Sequence, residues 1–271
     1  LSQGLVRYHI PSNTAENITP VMPPASQKQR SPAIQKISVT PDAGIFAGGN
    51  FYLFQQHPFY KRLEKNINLE NNGADQLNGI VWDGSAKEYW FSTYVAIYNM
   101  DEKFVMRKRY PVSSFSESED IINGICIDGK KDIWITTRKQ GLKIFNRSSS
   151  RFEKPAGKLQ LPDSVFTTIS GVQADSAGNL WLYGKEKFWY TDVFNGSSRS
   201  FVLIWDPAYG GQRSLKGVEL LVSPRSEAWL FSQQGIFIYN SSGFVKHLFK
   251  TGNTRDDLAS QTALVGAFNR K

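Results

Sequence analysis

A tryptophan strand recurs along this chain at a nearly fixed interval, and that period limits the fold more than any other feature. YWFSTYVAIYN around Trp90, IWITTRKQGLKIFN around Trp134, LWLYGKEKFWYT around Trp181 and AWLFSQQGIFIYN around Trp229 share one pattern. GIFAGGNFYLFQ carries it too, with Ile45 in the tryptophan's place, and successive spacings are 45, 44, 47 and 48 residues. A second marker repeats independently. LNGIVWD, INGICID, ISGVQAD and LKGVELLVS put Gly79, Gly124, Gly171 and Gly217 about ten residues ahead of each tryptophan, and LVGAFN repeats the marker at Gly266. Two markers holding one period identify a repeat array.

Each unit reads as four short strands. In the unit around Trp134 these are INGICID, DIWITT, GLKIFN and RFEKP, separated by turn-forming residues at 128–131, 138–141 and 146–148. Ile133 and Ile135 alternate with Trp134 and Thr136, so large apolar groups point from both faces, as a sheet covered on both sides requires. Four strands per 40 to 50 residues, stacked face to face around an axis, describe an all-β fold, the β-propeller of four-stranded blades. The tryptophan then fills the space between blades, and the marker glycine allows close backbone approach.

The boundaries follow from the period. Residues 1–32 are the end of a preceding blade and a linker holding five of the twelve prolines; Gln3-Gly4-Leu5-Val6-Arg7-Tyr8 matches Gln140–Phe145. Five complete repeats occupy 33–76, 77–120, 121–167, 168–215 and 216–261, and 262–271 is the first strand of a further blade. Partial blades at both ends favour a segment of a longer propeller over a complete six-bladed ring.

Composition narrows the chemistry. Cys126 is the single cysteine, which excludes an internal disulfide framework and a multi-cysteine zinc site. The net charge is +8, with the densest basic cluster at Lys103, Arg107, Lys108 and Arg109. Strand alternation divides that cluster between two faces, which reads as a solvated outer strand, so no nucleic-acid partner is expected; an acidic ligand such as a uronate polymer suits the charge. No apolar run is long enough to span a membrane, so membrane attachment would come only through segments outside this chain.

Asp175-Ser176-Ala177-Gly178-Asn179-Leu180-Trp181-Leu182-Tyr183-Gly184, followed elsewhere by Gly141-Leu142, Gly235-Ile236 and Gly4-Leu5, resembles the two-component regulator propeller repeat. Asp128–Thr137 is a second strong copy, with Lys131 where the family prefers glycine. Three copies are weaker: Asp83 lies one residue further from Trp90, Ser223 replaces the acid before Trp229, and the first has no tryptophan. The resemblance covers nearly all of the chain from residue 33. It implies the periplasmic sensor region of a Bacteroidetes hybrid two-component system, detecting a carbohydrate and signalling, as a homodimer in the full-length sensor, to a histidine kinase outside this chain. A sialidase Asp box places its acid five residues before the tryptophan, whereas Asp128 and Asp175 lie six before theirs.

No catalytic residue, metal ligand set or cofactor motif is expected. His9, His57 and His247 occupy unrelated repeat positions, so none forms a recurring nucleophile–histidine pair. Glu117-Ser118-Glu119-Asp120 and Asp256-Asp257 lack calcium-loop order and read as solvated loops. The alternatives are a propeller enzyme acting on polysaccharide, a lyase or glycoside hydrolase, and a protein-interaction scaffold. The turn after the second strand falls at one mouth in every unit; four residues past each tryptophan position stand Gly49, Tyr94, Arg138, Lys185 and Gln233. Variable chemistry on a repeated scaffold marks them as ligand-contacting positions. Arg138, with its neighbour Lys139, and Lys185 would meet an anionic oligosaccharide or other small ligand, and Tyr94 would stack on a sugar ring.

Overall fold

The computed structural model describes residues 77–117, 119–184, 187–202, 219–232 and 235–248 and, ahead of residue 77, the backbone of six strands. The chain forms two compact units, Leu1–Tyr110 and Pro111–Lys271. The boundaries read from the period at 262–271 lie outside the described residues.

In the first unit, β1 (Leu5–His9), β2 (Thr14–Val21), β3 (Lys36–Thr40), β4 (Gly44–Gly48), β5 (Leu53–Gln56) and β6 (Arg62–Ile67) make one sheet in the order β1-β2-β6-β5-β4-β3. Strand β2, inside the proline-rich stretch, runs parallel to β6. The second sheet is β7 (Leu77–Asp83), β8 (Glu88–Thr93), β9 (Ala96–Asp101) and β10 (Met106–Pro111), paired in chain order.

The second unit holds three sheets of the same kind. They are β11 (Ile122–Ile127), β12 (Ile133–Thr137), β13 (Gly141–Asn146) and β14 (Arg151–Glu153); then, after a one-turn helix α1 (Asp163–Phe166), β15 (Ile169–Ala174), β16 (Leu180–Gly184), β17 (Lys187–Thr191) and β18 (Ser198–Val202); then β19 (Glu219–Val222), β20 (Ala228–Ser232), β21 (Gly235–Asn240) and β22 (Gly243–Leu248). Within each unit, successive sheets meet through their first strands: β3 with β7, β11 with β15, and β15 with β19.

The two-faced pattern of the second strand is met in full, since all of Ile133–Thr137 is buried. Trp134 packs in one cluster with Ile144 of its own sheet and Val172, Leu180 and Leu182 of the next. Trp181 does the same one sheet further on, against Leu220, Leu230 and Phe237. Gln173, on β15, adds a polar clasp. Its amide nitrogen donates to the Leu220 carbonyl at 2.6 Å and its oxygen accepts from Val222 N–H at 3.0 Å, so one side chain stands in for a strand's peptide group.

The turn before each tryptophan strand is a side-chain-capped loop. Asp128 Oδ1 accepts from the amides of Lys130 and Asp132, and Asp175 Oδ1 accepts from Ala177 and Asn179, all at 2.8 to 2.9 Å. Where serine replaces the acid, Ser223 Oγ accepts the corresponding amides of Arg225 and Glu227 at 3.3 and 3.2 Å. Asp128 Oδ2 also accepts the Trp134 indole N–H at 2.7 Å. Trp90 and Trp229 use a different acceptor, a glutamate two residues earlier: Glu88 at 2.9 Å and Glu227 at 3.3 Å. Burial raises the Asp128 carboxyl above its usual range; the Trp134 indole and the Asp132 and Lys130 amides oppose this, and the charge of Asp132 adds to it.

Three residues before each tryptophan the backbone turns left-handed: Lys87, Lys131, Gly178 and Ser226 have φ of 50°, 66°, 85° and 62°. Glycine is favoured there because an L side chain crowds its own carbonyl in that conformation. Lys131→Gly is therefore expected to stabilise the chain by up to about 1 kcal/mol, the relief of left-handed strain less the added freedom of the unfolded chain. Urea denaturation measures it; a loss of stability of that size would contradict the account.

The marker glycines have a different role from the one expected of them. Each of the three described ones sits at a register shift between first and second strands, at Leu77/Gly79, Ile122/Gly124 and Ile169/Gly171. Each lies opposite the residue two after the tryptophan: Ser92, Thr136 or Tyr183. At Gly171 an added Cβ would stand 1.8 Å from the Tyr183 ring, while at Gly124 it would meet only ordinary contacts. The glycine marks a β-bulge, with space reserved for its cross-strand partner.

Arg107, Lys108 and Arg109 of the basic cluster lie on the outer strand β10, exposed from Met106 to Arg109, and Lys103 lies on the turn before it. Arg107 pairs with Glu88 at 3.3 Å, Arg109 lies over the Tyr98 ring, and Lys108 lies over Tyr110. Cations on an outermost strand also discourage edge-to-edge pairing with another sheet.

Candidate functional site

In a four-stranded antiparallel sheet, the turn between second and third strands shares an end with the connections joining one sheet to the next. That end carries the candidate positions. Tyr94 is half-buried on the bend between β8 and β9, beside a turn closed by Thr93, whose hydroxyl donates to the Ala96 carbonyl and accepts from the Ala96 amide. Arg138 and Lys139 are exposed on the turn between β12 and β13. Lys185 and Gln233 lie outside the described residues, and so does Gly49. Tyr94 belongs to the first unit and the Arg138–Lys139 pair, on one turn, to the second.

The pair is mounted on fixed backbone. Arg138 N–H donates to the Ile121 carbonyl at 2.9 Å, Lys139 N–H to Asp120 Oδ1 at 2.8 Å, and Gln140 N–H to Thr137 Oγ1 at 3.2 Å. Gln140 also reaches Glu117 through its side-chain amide at 3.4 Å. At the far side of the turn Gly141 has φ of 69°. A Cβ there would lie 2.0 Å from the Phe166 carbonyl oxygen, so the strand start is pressed against the connection that follows β14.

One expectation for this end needs correction. Glu117–Asp120 reads in the sequence as a solvated acidic loop, but Asp120 is only 2% exposed. Its carboxylate accepts from the amides of Ile121 and Lys139, both at 2.8 Å, and from the Ser116 hydroxyl. Burial alone would raise its pKa; the hydrogen bonds from Ser116, the Lys139 amide, Thr137 and the Ile121 amide outweigh that and hold it below the usual carboxylate value. Sequence reading missed Asp120 because an acidic run shows composition, not which of its members turns inward. Its signal was the distance to the marker glycine: Asp75 precedes Gly79 by the same four residues as Asp120 precedes Gly124.

The surface at this turn is therefore of mixed charge, with the exposed cations Arg138 and Lys139 next to the exposed acids Glu117 and Glu119. Such a surface suits a polar ligand held by hydrogen bonds as well as charge. Among the described residues, no group of three or more His, Cys, Asp and Glu side chains is placed to hold a metal ion.

No family model matches the chain, and no curated protein does. Solved structures do. The chain is similar to the extracellular domain of the putative hybrid two-component system BT4673 from B. thetaiotaomicron, with a TM-score of 0.62 and 14% identity over 92% of this chain and 34% of that one. It is similar to a chain of the mitotic checkpoint complex (TM-score 0.57, 13% identity, 89% of this chain and 69% of that one). It also resembles PorZ, an essential bacterial surface component of the type-IX secretion system of Porphyromonas gingivalis (TM-score 0.53, 12% identity, 80% of this chain and 34% of that one). The chain thus spans about a third of the length of the BT4673 domain. At such identities the likeness is one of fold, and one fold serves unrelated functions. Among the described residues no helix is long and apolar enough to cross a membrane.

Proposed function

We propose that this chain is part of a β-propeller in which each sheet is a blade, and that it is the ligand-sensing, extracytoplasmic part of a hybrid two-component regulator. The observation that carries the reading is the repeated sheet itself. Four sheets in a row share strand order, and in each the tryptophan strand follows a turn capped by an aspartate or serine. Successive first strands lie against one another within each unit, as inner strands around an axis do. The fold likeness to the BT4673 extracellular domain supports the sensor context.

In this reading the second-to-third-strand turns ring one mouth of the propeller. Tyr94, Arg138, Lys139, Lys185 and Gln233 contact a carbohydrate, anionic in character because the cations outnumber any acid among those five positions. The signal is a shift in the geometry of a dimeric sensor, favoured by whichever arrangement binds the ligand more tightly. The histidine kinase that receives it and the membrane segment that transmits it belong to the parent protein.

Calorimetric titration with a panel of neutral and uronate oligosaccharides, trigalacturonate among them, tests the ligand. Binding of a uronate is expected, weakened about tenfold by Arg138→Ala, as loss of one charge-assisted hydrogen bond implies. Unchanged affinity in Arg138→Ala and Lys139→Ala would remove this turn from the site, and steady turnover of the oligosaccharide would replace the sensor by an enzyme.

A further inference from the structure

We propose that Asp120 is the positioning residue of the Arg138–Lys139 turn: its buried carboxylate grips the Ile121 and Lys139 amides and so sets the direction in which the two cations are presented. The inference rests on the reading of that turn as ligand-contacting.

Turns on a sheet rim are ordinarily held by their own strands alone. Here all three turn amides have an acceptor, and two of those acceptors lead to Asp120: Lys139 N–H bonds its carboxylate directly, and Gln140 N–H bonds Thr137 Oγ1, whose hydroxyl in turn bonds Asp120. The third, Arg138 N–H, bonds the carbonyl of Ile121, whose own amide is held by Asp120. One carboxylate thus links the segment leading into β11 with the turn leaving β12. Ser116 adds a hydroxyl from the far side. The site is dry enough for these bonds to matter, with Asp120 2% exposed and Thr137 fully buried. A hydrogen bond to a buried charged acceptor is stronger than one in water, and losing the acceptor strands every donor aimed at it.

The neighbouring charges act on the same group. Lys143, 4% exposed on β13, feels the negative charge of Asp120, which favours its ammonium form against the burial and Lys154 repulsion that lower its pKa. Glu117 is directed instead to Gln140. Asp120 is therefore the buried acid of this segment, while Glu117 and Glu119 are exposed.

Asp120→Asn keeps the shape and removes the charge and one acceptor oxygen. Hydrogen exchange followed by NMR is expected to show the Lys139 amide exchanging about tenfold faster or more in this variant, with the Trp134 and Ile135 amides unchanged. In the unsubstituted protein the Ile121 and Lys139 amide protons should shift together through one acid transition, and that shared transition should vanish in the variant; a merely structural role would not move it. Trigalacturonate affinity should fall with the loss of protection. Ser116→Ala, which removes one hydrogen bond and no charge, should give the same pattern at smaller size and carries the test if the first variant does not fold. Unchanged Lys139 exchange in both variants would overturn the positioning role. Faster exchange in Asp120→Asn, combined with trigalacturonate binding that ignores Arg138→Ala, would uphold the positioning role and overturn the ligand reading.

Discussion

Trp134→Ala is expected to cost about 3–5 kcal/mol, the range for deleting a large buried aromatic side chain that neighbours cannot replace. Trp134 is 1% exposed and lies between two sheets, so its loss opens a cavity bordered by β12, β13, β15 and β16. It also strands the Asp128 oxygen that accepts its indole N–H. Phenylalanine separates the two contributions. Trp134→Phe loses the hydrogen bond as well as some volume. Trp181 is fully buried, yet its indole nitrogen has no hydrogen-bond partner among the described residues, so Trp181→Phe removes a group that was already unpaired. The substitution is expected to cost about 1–3 kcal/mol more at 134 than at 181. Equal costs in urea denaturation would show that the Asp128 bond contributes nothing to the turn.

Gly141→Ala is expected to cost on the order of 3 kcal/mol, about 1–2 from left-handed backbone and the rest from forcing two segments apart. The new methyl would sit 2.0 Å from the Phe166 oxygen and 2.8 Å from Thr167 Cα, both backbone atoms that cannot rotate aside. Gly157 is the internal control. Its φ of 71° is nearly the same, but nothing lies within 4 Å of an added Cβ. Gly157→Ala should therefore show only the conformational part, about 1–2 kcal/mol. A similar loss at both positions would mean that close approach to Phe166 does not matter. Against a domain stability of roughly 5–15 kcal/mol, the larger effect is easily measured.

These residues also show what the sequence could reveal. The strand pattern around Trp134 was legible because burial on both faces demands apolar residues at successive positions, and no turn or surface imitates that. The partner of each indole was not legible, because a hydrogen-bond acceptor can come from different chain positions. Asp128 supplies it from six residues away, Glu88 and Glu227 from two. The left-handed position hid behind Lys87, Lys131 and Ser226, since other residues can occupy it at a modest cost.

A further repeat marker went unread for a similar reason. Asp101, Asn146, Asp192 and Asn240 each accept two backbone amides at the turn between third and fourth strands, at intervals of 45, 46 and 48 residues. The turn needs a side-chain oxygen, which aspartate and asparagine supply equally, so the repetition is chemical and not one of residue identity. The Arg138–Lys139 turn was legible only in position. Its exposed side chains carry no packing constraint, and the buried group that orders them, Asp120, comes from another segment of the chain.

The sign of the acid response follows from Asp120 as well. Its pKa is lowered in the folded protein, so its contribution is present above the unfolded value near 3.9 and is lost as pH falls through the folded value. Asp128, with its pKa raised, works in the opposite direction, since folding becomes more favourable as pH falls through its folded value. The stability difference between the unsubstituted protein and Asp120→Asn should therefore begin to shrink below about pH 4, where the unfolded chain's aspartate takes up a proton before the folded one does, and should level off once pH is below the folded value.

The central claim is that a repeated, tryptophan-wedged sheet serves here as the sensing part of a two-component regulator. The parent reading frame beyond Lys271 tests that claim most directly. The account predicts that this frame continues into a membrane-spanning helix of about 20 apolar residues followed by a histidine kinase. A frame that closes with no such helix or kinase would contradict it.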